Sequence, residues 1–318
     1  MRRGAHRIRA LASAALVPLL IACAGETADE GAPKKLVLGL VPALEAQKLI
    51  DNLDPLADYL SQELGVPVES FVPQDYTGLL EAMGSGRADI GMIPPFAAML
   101  GEERYGIDTI LISMREGEAT YHSQWMTLDP SLCDSPPERD EDGLLYCRGP
   151  IEQVRGKSVA FTDPTSTSGY LFPAVQLLEA GINPETDIQP VFVGGHDAAV
   201  IAVLKGDVEV GVCYDDARVY GSLPEQFPDI AETVIVFNQS PEIPNDGVTV
   251  RGDLPAETKA AITAAFLKLV DAESSKPREE RLLWKLYEID GFVPYTEGLH
   301  EPVRKAFLEM RDRIDVDR

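Results

Sequence analysis

Residues 157–181, KSVAFTDPTSTSGYLFPAVQLLEAG, form the stretch on which the fold prediction rests. A strand is predicted over 157–162, a loop of hydroxyl-bearing residues follows it, and a helix over 168–180 ends at Gly181. Strand and helix patterns alternate in the same way from Lys35 onward. Such alternation predicts an α/β fold with mostly parallel sheets.

The loop between this strand and helix contains a run of hydroxyl groups, from Thr165 through Ser168. The N–H groups of a first helical turn have no intrahelical partner, and the helix dipole adds about half a positive charge there. One hydroxyl is enough to cap a helix, whereas this loop offers four. Together with Gly169, which lets the backbone approach closely, the loop predicts a site for a tetrahedral oxyanion. We expect no Lys or Arg to be required, because aligned N–H and O–H donors act strongly inside a closed cleft.

Two strand–helix–strand units repeat at a constant offset of 120 residues. Residues 68–91 match residues 188–211, strand to strand and helix to helix. Tyr76 coincides with His196, and each opens the helix that follows a strand. Two similar lobes whose helix N-termini face one cleft would hold a ligand between them. The repeat therefore predicts a clamshell.

Three further helices are predicted from leucine and other apolar residues at helical spacing. The first is expected to begin at Asp54-Pro55, as cap and first residue, and to end at Gly65, because leucines recur over 53–64. Apolar stripes around 262–270 and 303–310 predict the other two. We expect these stripes to face the core.

The composition is that of an ordinary globular protein, with 318 residues, 45% hydrophobic and 25% charged. There are 28 Lys and Arg against 52 Asp and Glu, so the formal net charge is −24. Phosphate-backbone binding needs clustered basic residues, which excludes nucleic acid as a partner. Beyond the N-terminus no apolar run reaches the roughly 20 residues that span a bilayer, which excludes pores. The length exceeds what one core usually supports and predicts two lobes.

The N-terminus has the features of a secretory signal. Residues 1–22 combine four arginines with a short apolar stretch. The stretch ends Leu20-Ile21-Ala22-Cys23, which resembles the lipobox of bacterial lipoproteins, in which the Cys is diacylated and becomes the first mature residue. We expect an extracytoplasmic protein, in the periplasm or at the cell surface, anchored to the membrane by lipid on Cys23 through a flexible tether over 23–33. A plain signal peptide with an incidental Cys is the alternative.

Two of the remaining cysteines, Cys133 and Cys147, flank a polar stretch that could not fold by itself. In an oxidising compartment a disulfide closing this loop is expected, and two free surface thiols are the alternative. Cys213 lies in an apolar run and is predicted to be a buried free thiol. The chain has no CxxC pair and no HExxH motif, and its four His residues are scattered. We expect neither a metal site nor a cofactor.

Several segments resemble the phosphate/phosphonate-type substrate-binding proteins of ABC importers. They are DPTSTSGYLFP at 163–173, VPQDYTGLLEAM at 72–83, GGHDAAVIAV at 194–203, ADIG at 88–91, PPF at 94–96 and IPND at 243–246. The likeness runs from about Lys35 to Gly252, in the expected order. Two departures are the PPF segment, which replaces a Gly-containing turn, and the segment between the two cysteines, which looks like an insertion.

The resemblance implies a two-lobed clamshell of the type II periplasmic-binding-protein class, with two hinge crossovers. Lobe 1 would comprise residues 34–120 and 246–318, and lobe 2 residues 121–245. The chain would cross between them near 118–123 and 241–247. A ligand in the cleft contacts both lobes and favours the closed form by its differential contacts there.

In this family a Ser-Thr-Ser turn, a Tyr and a His hold the phosphonate oxygens, with a second aromatic contact. At the matching positions here, the resemblance implies ligand contacts from Tyr76, Tyr121, Ser166, Thr167, Ser168 and His196. Asp215 is a candidate for a separate reason, because it ends a strand at the expected cleft. It could accept a proton from a protonated oxyanion or pair with an amine on the organic part of the ligand. A solvated or capping carboxylate is the alternative.

The function implied is that of an extracytoplasmic solute receptor. It would capture a phosphorus oxyanion (phosphonate, phosphite or phosphate) and, as a monomer, deliver it to an ABC permease with its ATPase. A ligand-loaded sensor that docks on a membrane signalling receptor would use the same clamshell. A secreted hydrolase would need a G-x-S-x-G elbow after a strand, and the chain offers only Thr167-Ser168-Gly169 in that setting, so we do not expect an enzyme.

Overall fold

The structure is a computed structural model in which residues 33–219 and 223–313 are described. The predicted signal peptide (1–22), the lipidated Cys23 and all but the last residue of the tether lie outside the described residues. Within the described ranges, no helix combines the length and the apolar character needed to cross a membrane.

The described chain alternates strands and helices, as predicted. The strands are β1 (Leu36–Leu40), β2 (Val68–Phe71), β3 (Ile90–Ile93), β4 (Ile107–Met114), β5 (Thr120–Tyr121), β6 (Ser123–Thr127), β7 (Glu138–Arg139), β8 (Leu145–Tyr146), β9 (Ser158–Phe161), β10 (Gln189–Phe192), β11 (Val210–Tyr214), β12 (Ile235–Gln239), β13 (Ile243–Pro244), β14 (Gly247–Arg251) and β15 (Gly291–Pro294). The helices are α1 (Ala46–Leu64), α2 (Tyr76–Gly84), α3 (Pro95–Tyr105), α4 (Phe172–Glu179), α5 (His196–Leu204), α6 (Leu223–Gln226), α7 (Ile230–Thr233), α8 (Ala256–Glu273), α9 (Leu282–Tyr287) and α10 (Glu301–Arg313). A π-helical turn, Thr167–Leu171, leads directly into α4.

The strands form two main sheets and one small ribbon. The first sheet has the order β15-β4-β14-β3-β1-β2, and the second has the order β10-β9-β11-β6-β12-β8-β7. β5 and β13 pair antiparallel in a ribbon between them. We call the first sheet with its helices lobe 1 and the second sheet with its helices lobe 2. The α/β two-sheet architecture agrees with the prediction, and the residues at which one lobe passes into the other stay a prediction.

Most strands in each sheet run in one direction, but the pairing of neighbours is mixed. β1 is parallel to β2 and β3, and β9 is parallel to β10 and β11. β14 lies antiparallel between β3 and β4, and β6 lies antiparallel between β11 and β12. β6 and β14 follow the two crossovers, so each begins at the cleft, where its neighbours end. Most strands of each sheet therefore point the same way, as expected, although many neighbouring strands pair antiparallel.

The repeat predicted from the sequence is present in the structure. β2, α2 and β3 correspond to β10, α5 and β11, and Tyr76 and His196 are the first residues of α2 and α5. Gly86 and Gly206, which the offset aligns, both have a φ of +73°. Glycine reaches this left-handed conformation without steric cost. The two units therefore share turn geometry as well as element order.

The match extends to a carboxylate that binds the strand lying, in the sheet, between the two strands of each unit. Asp89 accepts a hydrogen bond from the Val37 N–H at 2.8 Å, and Glu209 accepts one from the Ser158 N–H at 3.1 Å. Val37 lies in β1 and Ser158 in β9, which hold equivalent places in the two sheets. Corresponding strands therefore end at corresponding places on the two sides of the cleft.

The lobes are connected by the β5–β13 ribbon and by the C-terminal helix. α10 contacts both α3 of lobe 1 and α4 of lobe 2. The ring centroid of Phe307 in α10 lies 5.4 Å from that of Phe96 in α3. α10 therefore contacts both lobes, and its assignment to lobe 1 within the range 246–318 stays a prediction.

The longest described helix begins earlier than predicted. α1 starts at Ala46 rather than at Asp54-Pro55, so that Pro55 lies inside the helix. Leu49 and Leu53 are fully buried with the leucines that follow them, and the packing of this stripe offsets the hydrogen bond that Pro55 cannot make. α8 and α10 cover the two predicted C-terminal segments, and their apolar stripes are buried as expected.

The predicted disulfide is present. Cys133 and Cys147 are bonded, and their Cα atoms lie 5.7 Å apart. The bond closes the β7–β8 hairpin, which extends the outer edge of the second sheet. Cys213 is buried and free, as expected.

Removal of this bond is expected to lower the free energy of unfolding by about 3 kcal/mol, because the unfolded chain regains the entropy of an open loop of about 15 residues. The Cys133→Ser/Cys147→Ser double variant tests this, with equilibrium urea unfolding as the measurement. Wild-type protein unfolded with its disulfide reduced is the matched comparison, because reduction opens the same loop without a substitution. An unchanged urea midpoint in the double variant would contradict the prediction.

Candidate functional site

The two lobes enclose a small cavity. About 20 Å³ of it is accessible to the centre of a water-sized sphere. Five of the seven predicted ligand contacts line it, namely Tyr76, Tyr121, Ser166, Ser168 and His196. Charged and aromatic residues that were not predicted complete the wall, namely Arg115, Tyr214, Asp246, Tyr287 and Glu288. The fold therefore brings residues of both lobes and both crossovers to one point.

The hydroxyl loop supplies two side chains to the cavity, Ser166 and Ser168. Ser166 caps the π-helical turn, since its Oγ accepts a hydrogen bond from the Gly169 N–H at 3.1 Å. A Cβ on Gly169 would lie 1.8 Å from Oγ1 of Thr162, so only glycine lets the turn pack this closely against the end of β9. The Ser168 carbonyl accepts a hydrogen bond from Oγ of Ser123 at 2.6 Å, which ties the turn to β6.

Thr167 does not line the cavity, in contrast to the prediction. Its side chain is fully buried, and its Oγ1 accepts a hydrogen bond from the Phe96 N–H at 3.0 Å. Phe96 lies in the first turn of α3, whose N-cap residue Pro94 provides no side-chain cap. Thr167 therefore caps a helix of the other lobe instead of facing the cavity.

His196 presents a neutral N–H donor to the cavity. Its Nδ1 accepts a hydrogen bond from the Tyr214 N–H at 3.3 Å, which leaves the ring proton on Nε2. Burial, and after it the positive charge of Arg115, lowers the pKa of His196 to about 3. The imidazole is therefore neutral at neutral pH, and its Nε2–H remains available as a donor.

Three buried tyrosines on the cavity wall add phenol groups. Burial raises the pKa of Tyr76, Tyr121 and Tyr214 above the ordinary value, so each remains protonated and can donate. The Tyr214 hydroxyl is buried and has no hydrogen-bond partner among the described residues. It is therefore a donor that a ligand could use, and the sequence analysis did not include it.

Arg115 is the main cavity residue that the sequence analysis missed. Its guanidinium lies 3.6 Å from the Asp246 carboxylate, and its Nε donates to the carbonyl of Tyr287 at 2.9 Å. The guanidinium carbon lies 5.7 Å from the ring centroid of Tyr121 and 6.0 Å from that of Tyr214, within cation–π range. In the sequence this arginine precedes a charged turn, and only the pairing of β4 with β14 brings it beside Asp246. The cavity therefore contains a cation, although none was expected to be required.

Two carboxylates also reach the cavity wall. Asp246 belongs to the IPND segment that follows the second crossover, and burial raises its pKa while Arg115 opposes the rise. Glu288 lies just beyond α9 with a φ of +53°, a conformation that is uncommon for residues other than glycine. The cavity therefore offers acceptors as well as donors.

Asp215 lies outside the cavity, in contrast to the prediction. Its carboxylate accepts a hydrogen bond from the His122 N–H at 2.9 Å, which agrees with the alternative of a capping carboxylate. It lines an outer crevice of about 300 Å³ that adjoins the cavity at Arg115 and Tyr121. Burial raises the pKa of Asp215 to about 6. The acidic position inside the cavity is held instead by Asp246.

The combined donor set suits a small oxyanion. Hydroxyl, phenol, imidazole and guanidinium groups converge from several elements on one enclosed space, and such donors bind oxyanions by hydrogen bonds. Over residues 33–219 and 223–313, no group of three or more His, Cys, Asp or Glu is arranged to hold a metal ion. The arrangement can therefore bind and orient an anion by its side chains.

Comparison with known sequences agrees with this geometry. Residues 38–298 match the family described as "ABC transporter, phosphonate, periplasmic substrate-binding protein". The chain is 32% identical over 230 residues to the phosphate-import protein PhnD of Mycolicibacterium smegmatis, and the match covers 68% of this chain and 67% of the relative. The family match spans most of the described residues.

Solved structures show the same fold. The binding component of an ABC phosphonate transporter from Pseudomonas aeruginosa has a TM-score of 0.72 at 22% identity, over 89% of this chain and 87% of that one. PhnD1 from Prochlorococcus marinus, in complex with methylphosphonate, also has a TM-score of 0.72, at 17% identity, over 88% of this chain and 99% of that one. The chain therefore belongs to the family of periplasmic substrate-binding proteins of phosphonate ABC transporters, which are solute-binding transport proteins and not enzymes.

Proposed function

We propose that this protein captures a compact, partly protonated phosphorus oxyanion between its lobes and delivers it to an ABC permease with its ATPase. The observation that carries the proposal is one enclosed cavity lined by two serine hydroxyls, the imidazole of His196 and the phenols of Tyr76 and Tyr121. These groups come from both lobes and from a crossover strand. An anion bound by all of them would favour the closed arrangement.

The size of the cavity favours a small ligand. About 20 Å³ is available to the centre of a water-sized sphere, and a long organic substituent would force the lobes apart. The relative from M. smegmatis is a phosphate-import protein, and the structure from P. marinus holds methylphosphonate. Inorganic phosphate, phosphite and methylphosphonate are therefore the candidate ligands for this chain.

Asp246 is expected to accept a hydrogen bond from a protonated oxygen of the ligand. This is one of the two roles that the sequence analysis considered for Asp215. A buried carboxylate repels a fully ionised oxyanion, but it accepts a hydrogen bond from a P–OH group. Sulfate carries no such proton at neutral pH. A site that must satisfy a buried acceptor rejects a ligand without the matching donor.

Titration calorimetry against a panel of anions tests the proposal. We expect phosphate, phosphite or methylphosphonate to bind and sulfate not to bind. Thermal shift is an independent readout, because a ligand at a hundred times its dissociation constant adds about 2.7 kcal/mol of stability. The Asp246→Asn variant, whose amide can donate to an unprotonated oxygen, should narrow the difference between phosphate and sulfate. Binding of sulfate as tightly as phosphate, or of no phosphorus anion, would refute the proposal.

Two further proposals concern membrane attachment and the oligomeric state. One is that a lipid on Cys23 anchors the protein to the membrane, and the other is that the receptor acts as a monomer. The lipobox-like sequence before Cys23 supports the first. A closed cavity built from one chain supports the second, because no second copy is needed to complete it.

A further inference from the structure

Hydrogen bonds cross the cleft directly between the lobes, without a ligand. In each, a backbone N–H at the start of a helix donates to the opposite lobe: Tyr76 to Asp163 at 3.4 Å, Phe96 to Thr167 at 3.0 Å, Glu45 to Asp197 at 3.3 Å, and His196 to the carbonyl of Ala43 at 2.9 Å. Such N–H groups have no partner within their own helix. Closing the lobes therefore completes helix caps that each lobe lacks when separate.

Asp197 differs from the other acceptors because it brings a poorly compensated charge into this interface. Its side chain is 8% exposed, and Oδ2 makes the one long hydrogen bond to the Glu45 N–H. Oδ1 is buried and has no hydrogen-bond partner among the described residues. By contrast, Asp163 also accepts hydrogen bonds from the N–H and Oγ1 of Thr165, at 2.8 and 2.7 Å. Burial of an ionised carboxylate without such partners is unfavourable.

The surroundings of Asp197 compensate its charge only in part, through its place in the first turn of α5, where the helix dipole favours an anion. It lines a groove of about 400 Å³ between the lobes, together with Gln74 and Glu45 from lobe 1. The carboxylate of Glu45 repels it, and Lys48 attracts it without forming an ion pair. Burial is the largest effect and raises the pKa of Asp197 to about 6. A raised pKa means that the ionised form is disfavoured in the closed arrangement, whereas in an open cleft water would solvate it.

We propose that Asp197 limits the affinity of the receptor, because its negative charge opposes closure of the lobes. Asp197 does not line the ligand cavity. It is therefore a positioning residue, which changes affinity by shifting the equilibrium between the open and closed forms. Part of the ligand's binding free energy is then used to bury this carboxylate. A receptor that hands its ligand to a permease must reopen, and a carboxylate that is better solvated in the open form favours that step.

The isosteric variant Asp197→Asn tests the proposal. It removes the charge and keeps an oxygen that can accept from the Glu45 N–H. We expect a larger closed fraction in the absence of ligand, measured by energy transfer between dyes on Asp58→Cys and Glu152→Cys, which are exposed positions in the two lobes. Cys213 is fully buried and Cys133 is bonded to Cys147, so neither competes for the dyes, and Cys23 is replaced by serine. We also expect the dissociation constant of the anion that binds best to fall about tenfold.

Asp129→Asn is the matched control. Asp129 is an exposed residue of lobe 2 that accepts a hydrogen bond from the Ser131 N–H at 2.9 Å, so the chemical change is the same but lies outside the cleft. It should alter neither closure nor affinity. Asp197→Ala, which loses the acceptor too, should bind less tightly than Asp197→Asn.

An unchanged or smaller closed fraction in Asp197→Asn, or an unchanged or higher dissociation constant, would overturn the proposal. The affinity measurement rests on the proposed function, whereas the dye measurement without ligand does not. If no phosphorus anion binds the wild-type protein, the proposed function fails and the dye measurement still decides the role of Asp197.

Discussion

Replacing Arg115 by methionine is expected to lower the free energy of unfolding by about 3 kcal/mol and to weaken oxyanion binding. Arg115 and Asp246 form an ion pair in which each side chain keeps only 19% of its surface exposed. Removing one partner of a buried pair leaves the other charge without compensation, which costs about 3–5 kcal/mol. The lower end applies here because the two groups lie 3.6 Å apart and retain some contact with solvent.

Further contacts of Arg115 make the loss larger than that of a surface arginine. The variant also loses the hydrogen bond to the Tyr287 carbonyl and the contacts with the rings of Tyr121 and Tyr214. These groups belong to lobe 1, to a crossover strand and to lobe 2. The guanidinium therefore stabilises the place where the lobes meet, and its loss should affect the cavity as well as the stability.

Urea unfolding of Arg115→Met, compared with the Arg115→Met/Asp246→Asn double variant, measures this effect. The second substitution removes the orphaned charge, so the double variant should recover part of the lost stability. Arg139→Met is the control, because Arg139 lies 3.7 Å from Glu232 and both side chains are at least half exposed. Such surface pairs contribute about 0–1 kcal/mol. Equal losses of unfolding free energy in Arg115→Met and Arg139→Met would show that the buried pair stabilises the protein no more than a surface pair.

Local patterns in the sequence predicted much of this site. The hydroxyl run at a helix start identified Ser166 and Ser168, and the offset of 120 residues paired Tyr76 with His196. These signals are local, since a helix start and a repeated strand–helix–strand unit can be recognised without knowing which strands pair. The disulfide could be predicted for a similar reason, because both cysteines flank one polar loop.

The residues that sequence analysis missed depend on strand pairing and on side-chain alternation. Arg115 meets Asp246 only because β14 inserts between β3 and β4. Tyr214 and Asp215 are neighbours at the end of β11, where successive side chains point to opposite faces. Tyr214 therefore lines both the cavity and the outer crevice, whereas Asp215 lines the crevice alone. Deciding which of two neighbouring residues reaches the cavity requires knowledge of the strand register, which the sequence alone does not provide.

Removing Ser168 and His196 together is expected to weaken phosphorus oxyanion binding by about 4 kcal/mol, on the order of a thousandfold in the dissociation constant. Each residue presents a neutral donor to the cavity, a hydroxyl and an Nε2–H, and a hydrogen bond to a charged group contributes about 1.5–3 kcal/mol. The Ser168→Ala/His196→Ala variant should keep its fold, because the Ser168 carbonyl still accepts from Ser123. Calorimetry gives the affinity and urea unfolding gives the stability.

The single variants Ser168→Ala and His196→Ala, with a control variant in the same loop, show whether a loss of affinity comes from a lost ligand contact or from a disturbed loop structure. Thr165→Ala removes a hydroxyl that donates to Asp163 and does not line the cavity, so it should affect affinity much less than Ser168→Ala. The two single effects need not add, because both side chains line one cavity and would contact the same ligand. If the double variant binds the anion as the wild type does, the ligand does not occupy this cavity. A loss of affinity in Thr165→Ala equal to that in Ser168→Ala would indicate that loop structure, and not the donor facing the cavity, determines binding.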